Sequence, residues 1–164
     1  MGHRANFVIV RDGKATTYFD NWAGLGAALM IADGPIAAER EAAQFEEVDE
    51  MLDWAFAEGG CLLDFDERRA LVFGELEDVL AEFCGDEADE ESIDDTPADA
   101  RACAADAYRA YFSEIAAHWQ GWCLRYDDRG VDAFAEHLKR RGIERPKAAP
   151  ASHPDDVEAL EMQF

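Results

Sequence analysis

The dipeptide Asp12-Gly13, set between two strand-forming runs at 4–10 and 14–20, constrains this chain more than any other feature. Asp-Gly favours a two-residue hairpin loop, because glycine accepts the positive φ that such a turn requires. With Asp12-Gly13 as the loop, the register follows. Val10 pairs with Ala15, Val8 with Thr17 and Asn6 with Phe19. On the other face Ile9 pairs with Thr16, Phe7 with Tyr18 and His3 with Trp22. Phe7, Ile9, Tyr18 and Trp22 then share one side, which is the expected core face.

The same reasoning extends along the chain. Asn21 caps a short helix over 22–31, weakened by Gly24 and Gly26 and ended by Asp33-Gly34. Pro35 suits the first turn of a helix over 36–45. Val48, Met51, Leu52 and Ala55 have helical spacing and predict a helix over 47–57, stopped by Gly59-Gly60. Residues 61–65 and 69–73 read as a second hairpin, and 75–83 as a short helix. Thr96-Pro97 opens the longest helix, over 97–118, and 122–126 reads as a fifth strand. Val131, Phe134, Ala135 and Leu138 mark a helix that Gly142 closes. The expected fold class is α+β: an antiparallel sheet of about five strands built from hairpins, with helices packed on one face. Residues 1–142 form the expected domain. A connector and a short helix over 154–162 follow within 143–164.

Composition decides which partners suit such a domain. Of 164 residues, 37 are acidic and 15 basic, for a formal net charge of -22. A chain this acidic repels a phosphate backbone and an anionic bilayer, so neither nucleic acid nor membrane is expected as a partner. No apolar run reaches the roughly 18 residues that span a bilayer, and the opening residues lack an apolar signal core. A cytoplasmic location is therefore expected. Cys61, Cys84, Cys103 and Cys123 contain no Cys-x-x-Cys pair, so reduced thiols are expected rather than a zinc site.

Seven of the ten residues from 86 to 95 are acidic: Asp86, Glu87, Asp89, Glu90, Glu91, Asp94 and Asp95. An exposed loop over 85–97 is expected there, offering a docking surface to a basic protein. Trp119 and Trp122, on either side of Gln120-Gly121, form a second candidate recognition surface. Basic charge gathers at Lys139, Arg140, Arg141, Arg145 and Lys147. Among polar groups, the register sets His3 opposite Trp22 and diagonal to Asp20, where a carboxylate could orient an imidazole as a general base. Arg4 and Asn6 point to the opposite face. Asp64 and Asp66 lie at i and i+2 and could share a divalent cation, but hairpin turns carry such acids without one. No nucleophile motif is present, so neither a catalytic residue, a metal nor a cofactor is assigned.

The opening Met1-Gly-His-Arg-Ala-Asn-Phe-Val-Ile-Val, with Asp12-Gly13, Tyr18 and Trp22, resembles the start of a group of bacterial proteins of no established activity. Gly59-Gly60, Leu71-Val-Phe-Gly74 and Trp119-Gln-Gly-Trp122 with Arg125 extend the likeness. The resemblance covers both hairpins and 119–138, and leaves out the acidic loop and the tail. It supplies no catalytic residue, but it draws attention to His3, Arg4, Asn6, Trp22, Trp122 and Arg125.

The leading expectation is an acidic binding protein that engages a basic protein partner. An immunity or antitoxin-like inhibitor, covering a toxin's cationic cleft, is one concrete form. The alternative is a small enzyme with its site near His3, Asp20 and Trp22. Self-association, with the basic tail docked on an acidic neighbour, is a third reading.

Overall fold

The computed structural model describes residues 4–24, 26–48, 58–74, 76, 97–143 and 159–164, with backbone alone for 97–105. The first hairpin forms with the anticipated register. β1 (Ala5–Arg11) and β2 (Lys14–Asp20) pair Val10 with Ala15, Val8 with Thr17 and Phe7 with Tyr18. Asp12 and Gly13 both have positive φ, 53° and 73°, the signature of a type I′ turn. Asp66, from the second hairpin, accepts hydrogen bonds from both of their backbone N–H groups, at 2.9 and 2.8 Å.

The sheet around this hairpin differs from the expected one. It has seven strands in the order β3-β2-β1-β4-β5-β6-β7 and is mixed. β3 (Glu46–Val48) lies antiparallel to β2, and β4 (Gly59–Asp64) lies antiparallel to β5 (Arg69–Phe73). β6 (Cys123–Asp127) lies antiparallel to β7 (Ala159–Gln163). The units join in parallel, β1 to β4 and β5 to β6. The expectation of about five antiparallel strands is thereby overturned. Turn chemistry sets which strands pair within a hairpin but says nothing about how hairpins dock. What joins them is burial: β4 is buried at every position, and β1 at every position except Arg11. Such near-continuous apolar strands belong at the centre of a sheet covered on both faces. Gly60 permits the close approach of β1 and β4, since a Cβ there would lie 2.1 Å from the Asn6 carbonyl oxygen.

Helices accordingly cover both faces, not one. Phe7, Ile9, Cys61, Leu63, Val72 and Leu124 point to one side. They pack beneath a 3-10 turn (Ala27–Ile31), α1 (Pro35–Ala42) and α2 (Pro97–Ile115). Tyr108 and Tyr111 of α2 donate their hydroxyls to the Gly74 and Ala28 carbonyls, each at 2.6 Å. Val8, Val10, Leu62, Leu71 and Phe73 point to the other side, under Val131, Phe134 and Leu138 of α3 (Val131–Arg140). Among the described residues α3 is the one helix on this face, where Arg69 and Arg125 are half-buried and Ala159, Glu161 and Gln163 of β7 are exposed.

Three local expectations also change. Residues 46–48 form an edge strand where the helix over 47–57 was expected to begin, Gly59-Gly60 open β4, and 49–57 lie outside the described residues. Residues 159–163 form β7 in place of the C-terminal helix. The helix over 22–31 narrows to the 3-10 turn. The helix expected at 75–83 lies, but for 76, outside the described residues.

Candidate functional site

The β4–β5 turn and α3 build a buried ionic network. Asp64, the last residue of β4, is fully buried, and its Oδ1 accepts the backbone N–H groups of Asp66 and Glu67 at 3.0 and 3.1 Å. Its Oδ2 meets His137 Nε2 at 2.8 Å and accepts Arg141 Nε at 2.9 Å. Arg140 Nη2 faces the other imidazole nitrogen, Nδ1, at 3.3 Å. Since Arg140 only donates, Nδ1 must accept, which puts the His137 proton on Nε2, donated to Asp64. Burial lowers the His137 pKa, in keeping with this neutral imidazole. Arg140 clamps Glu67 at 2.6 Å, and that hydrogen bond holds the Glu67 carboxyl below its ordinary range.

Asp64, Glu67 and His137 bring ligand atoms within 4.8 Å of one another. A divalent cation would need the same carboxylate oxygens that Arg140 and Arg141 already engage. The donor set therefore works as a salt-bridge network, and Asp66 is drawn away to cap the first hairpin.

Beside this network, between α3 and strands β5 and β6, lies a cleft of about 650 Å³. Arg69, Arg125, Arg129, Lys139 and Arg140 line it with His137 and Glu136, over Leu71 and Ala133. Asp127, 1% exposed, sits behind the wall and accepts from Arg125 at 3.1 Å and Arg129 at 2.7 Å. Burial raises the Asp127 pKa, but the Arg129 hydrogen bonds outweigh it and hold the carboxyl below its usual range.

The sheet's other face carries a depression of about 550 Å³ lined by Trp22, Leu29, Met30, Phe45, Asp33 and Glu41, among others. Trp22 is 70% exposed and Leu29 38%. Asp20 Oδ1 accepts the Trp22 backbone N–H at 2.8 Å and fixes the turn that presents the indole.

The expected site residues are scattered over these features. Trp22 leaves the core that the hairpin register assigned it and stands in solvent. Trp119 and Trp122, expected as a recognition surface, are 0% and 7% exposed. Their rings pack edge to face at 5.3 Å, and Trp119 Nε1 donates to the Ile31 carbonyl at 2.8 Å, so they close the corner between helix and sheet. Arg125 lines the cationic cleft. Asn6 is buried within β1, and the Arg4 carbonyl accepts the Glu58 N–H at 2.8 Å. His3 and the acidic residues Asp86, Glu87, Asp89, Glu90, Glu91, Asp94 and Asp95 lie outside the described residues. Asp20 and Trp22 meet through a backbone hydrogen bond, and the pairing of His3 with Asp20 falls outside the described residues. Burial pushes the thiols of Cys61 and Cys123 up to about 12, which leaves both unreactive as nucleophiles at neutral pH.

Sequence reasoning missed the Asp64–His137 pair and the cleft. The Lys139-Arg140-Arg141 run was the available signal, but its partners Asp64, Asp66 and Glu67 lie more than 70 residues away in the β4–β5 hairpin, and only the fold brings α3 onto that turn. Among the described residues no helix is long and apolar enough to cross a membrane. No family model, curated protein or solved structure matches this chain.

Proposed function

We propose that this chain is an acidic binding protein of the cytoplasm that engages a basic protein partner through the Trp22 depression. The observation that carries the reading is an indole 70% exposed at the rim of a pocket that Leu29, Met30 and Phe45 make apolar and Asp33 and Glu41 make anionic. Exposed tryptophan in an apolar depression is the kind of residue that dominates binding energy at protein interfaces. A net charge of -22 steers a cationic partner toward it and repels polyanions. The fitting partner presents an apolar anchor flanked by Lys or Arg. Inhibition of a basic enzyme, by covering its cationic cleft as an immunity protein or antitoxin would, is the concrete biological form of this reading.

The test is capture from host lysate with identification of the captured protein, run in parallel with Trp22→Ser and with Asp33→Asn/Glu41→Gln. All three changes sit on the surface, and thermal denaturation should confirm that each variant folds. A single basic protein, captured by the native chain and lost by both variants, supports the proposal. Capture indifferent to Trp22 refutes it.

A further inference from the structure

The cleft beside α3 gathers five of the chain's 15 cationic side chains into one concavity, on a molecule with a net charge of -22. Asp127, Glu67, Glu136 and Glu161 pair four of the five, and Lys139 has no ion-pair partner among the described residues. The geometry points to a binding site for a small phosphorylated molecule, with two adjacent phosphates across the guanidinium row and an uncharged body over Leu71 and Ala133. This inference is independent of the Trp22 surface, which lies on the opposite face of the sheet.

Three observations carry it. First, the charges are layered. Asp127 and Asp64 are fully or almost fully buried behind the wall, while Arg125 and Arg129, 28% and 25% exposed, stand in front of them. A buried carboxylate thus holds two planar donors in place before any ligand arrives, which lowers the ordering cost of binding. Second, the donors are not exhausted. Arg129 gives one N–H each from Nε and Nη2 to Asp127 and one from Nη1 to Glu136, so two of its five N–H groups find no partner among the described residues. Among the described residues Lys139 has no ion-pair partner. Third, the size and lining suit more than a bare ion. A volume of about 650 Å³ lies in the range of small-molecule sites, and an apolar floor beneath convergent polar groups is their usual construction. Guanidinium forks match phosphate oxygens in pairs, and four of them with an ammonium exceed what one tetrahedral anion can engage.

Glu136 and Glu161 are the internal competitors. Glu136 pairs with Arg129, and Glu161 pairs with Arg69 and Arg125 at 3.5 and 3.3 Å. Both are exposed, and an incoming phosphate must displace them. A network that served only folding would gain nothing from their removal, whereas an anion site would.

The experiment is calorimetric titration of the full chain with inorganic pyrophosphate, then orthophosphate, citrate and a short single-stranded oligonucleotide, at low salt. Amide chemical shifts locate whatever binds. The site predicts saturable pyrophosphate binding, tighter than orthophosphate or citrate, with shifts at Arg69, Arg125, Arg129 and α3. Lys139→Gln should weaken it about two- to fivefold, and Glu136→Gln or Glu161→Gln should tighten it by a similar factor. These three positions are exposed, so the variants should keep the fold, which their amide spectra will verify. Absence of saturable pyrophosphate binding overturns the assignment. So does binding that ignores Lys139 and both glutamates, a preference for citrate, or binding of the oligonucleotide alone.

Discussion

Replacing Asp64 by alanine should be among the most damaging single changes in the chain, and the structure sets its size. Asp64 accepts four hydrogen bonds: two from the backbone of its own turn, one from His137 and one from Arg141. Removing one partner of a fully buried ion pair costs about 3–5 kcal/mol. The turn amides lie beside the exposed residues Asp66 and Glu67 and can recover water, and Arg141 keeps Asp66 at 2.8 Å. His137, 6% exposed, cannot recover an acceptor so easily. The net loss should therefore be about 2–4 kcal/mol, or roughly 5–15 °C in Tm for a chain of this size. Asp64→Asn should cost less, about 1–3 kcal/mol, because Oδ1 still accepts the two turn amides, although the new amide N–H group faces both the His137 Nε2–H and the Arg141 donors. Urea denaturation of native, Asp64→Ala and Asp64→Asn proteins measures both. A loss below about 1 kcal/mol for the alanine variant would refute the network, since that is what an exposed pair contributes. Asp64→Ala and His137→Ala should also combine sub-additively, because they remove the same contact.

Further outcomes are expected from pH and from single substitutions. Burial depresses the His137 pKa, so the unfolded chain takes up a proton near about pH 6.5 before the folded chain does. Stability should fall as pH drops through that value, and His137→Gln should flatten the slope between about pH 7 and 5.5. The carboxyls of Asp66, Glu67, Asp127 and Glu161 are held low, so a second loss should follow below about pH 4 in stability measured against pH. Gly13→Ala, at φ 73°, should cost about 1 kcal/mol by strain in the turn, read from the same urea curves. Trp119→Ala should cost about 3–5 kcal/mol by emptying a fully buried site, whereas Trp22→Ser should leave stability within about 0.5 kcal/mol.

How much of this was legible in the sequence depends on the range of the interaction. Asp12-Gly13 sets the β1–β2 register because the constraint lies within the turn itself. The helix at 131–140 is legible because Val131, Phe134 and Leu138 keep one face and Gly142, at φ 73°, ends it. The parallel joins of β1 to β4 and β5 to β6 were not, although the unbroken Phe7-Val-Ile-Val run already marked a strand covered on both sides. β7 was legible too: Leu160, Met162 and Phe164 alternate with polar residues, a period of two, and all three pack on the core. Reading 154–162 as a helix passed over that alternation. Trp22 was placed in the core by extending the hairpin, but β2 ends at Asp20, whose side chain turns the backbone at Trp22. The cleft could not be read, because Arg69 and Arg125 come together only through the parallel β5–β6 pair, which sets Arg125 beside Leu71.

The proposed role of Trp22 and its acidic rim is to bind a basic protein. The most direct measurement titrates the captured, purified partner against the native chain and against Trp22→Ser, at low and at physiological salt. Saturable binding should weaken at least about tenfold without the indole and fall further as salt screens the rim. Equal affinity for both proteins, or affinity indifferent to salt, would contradict it.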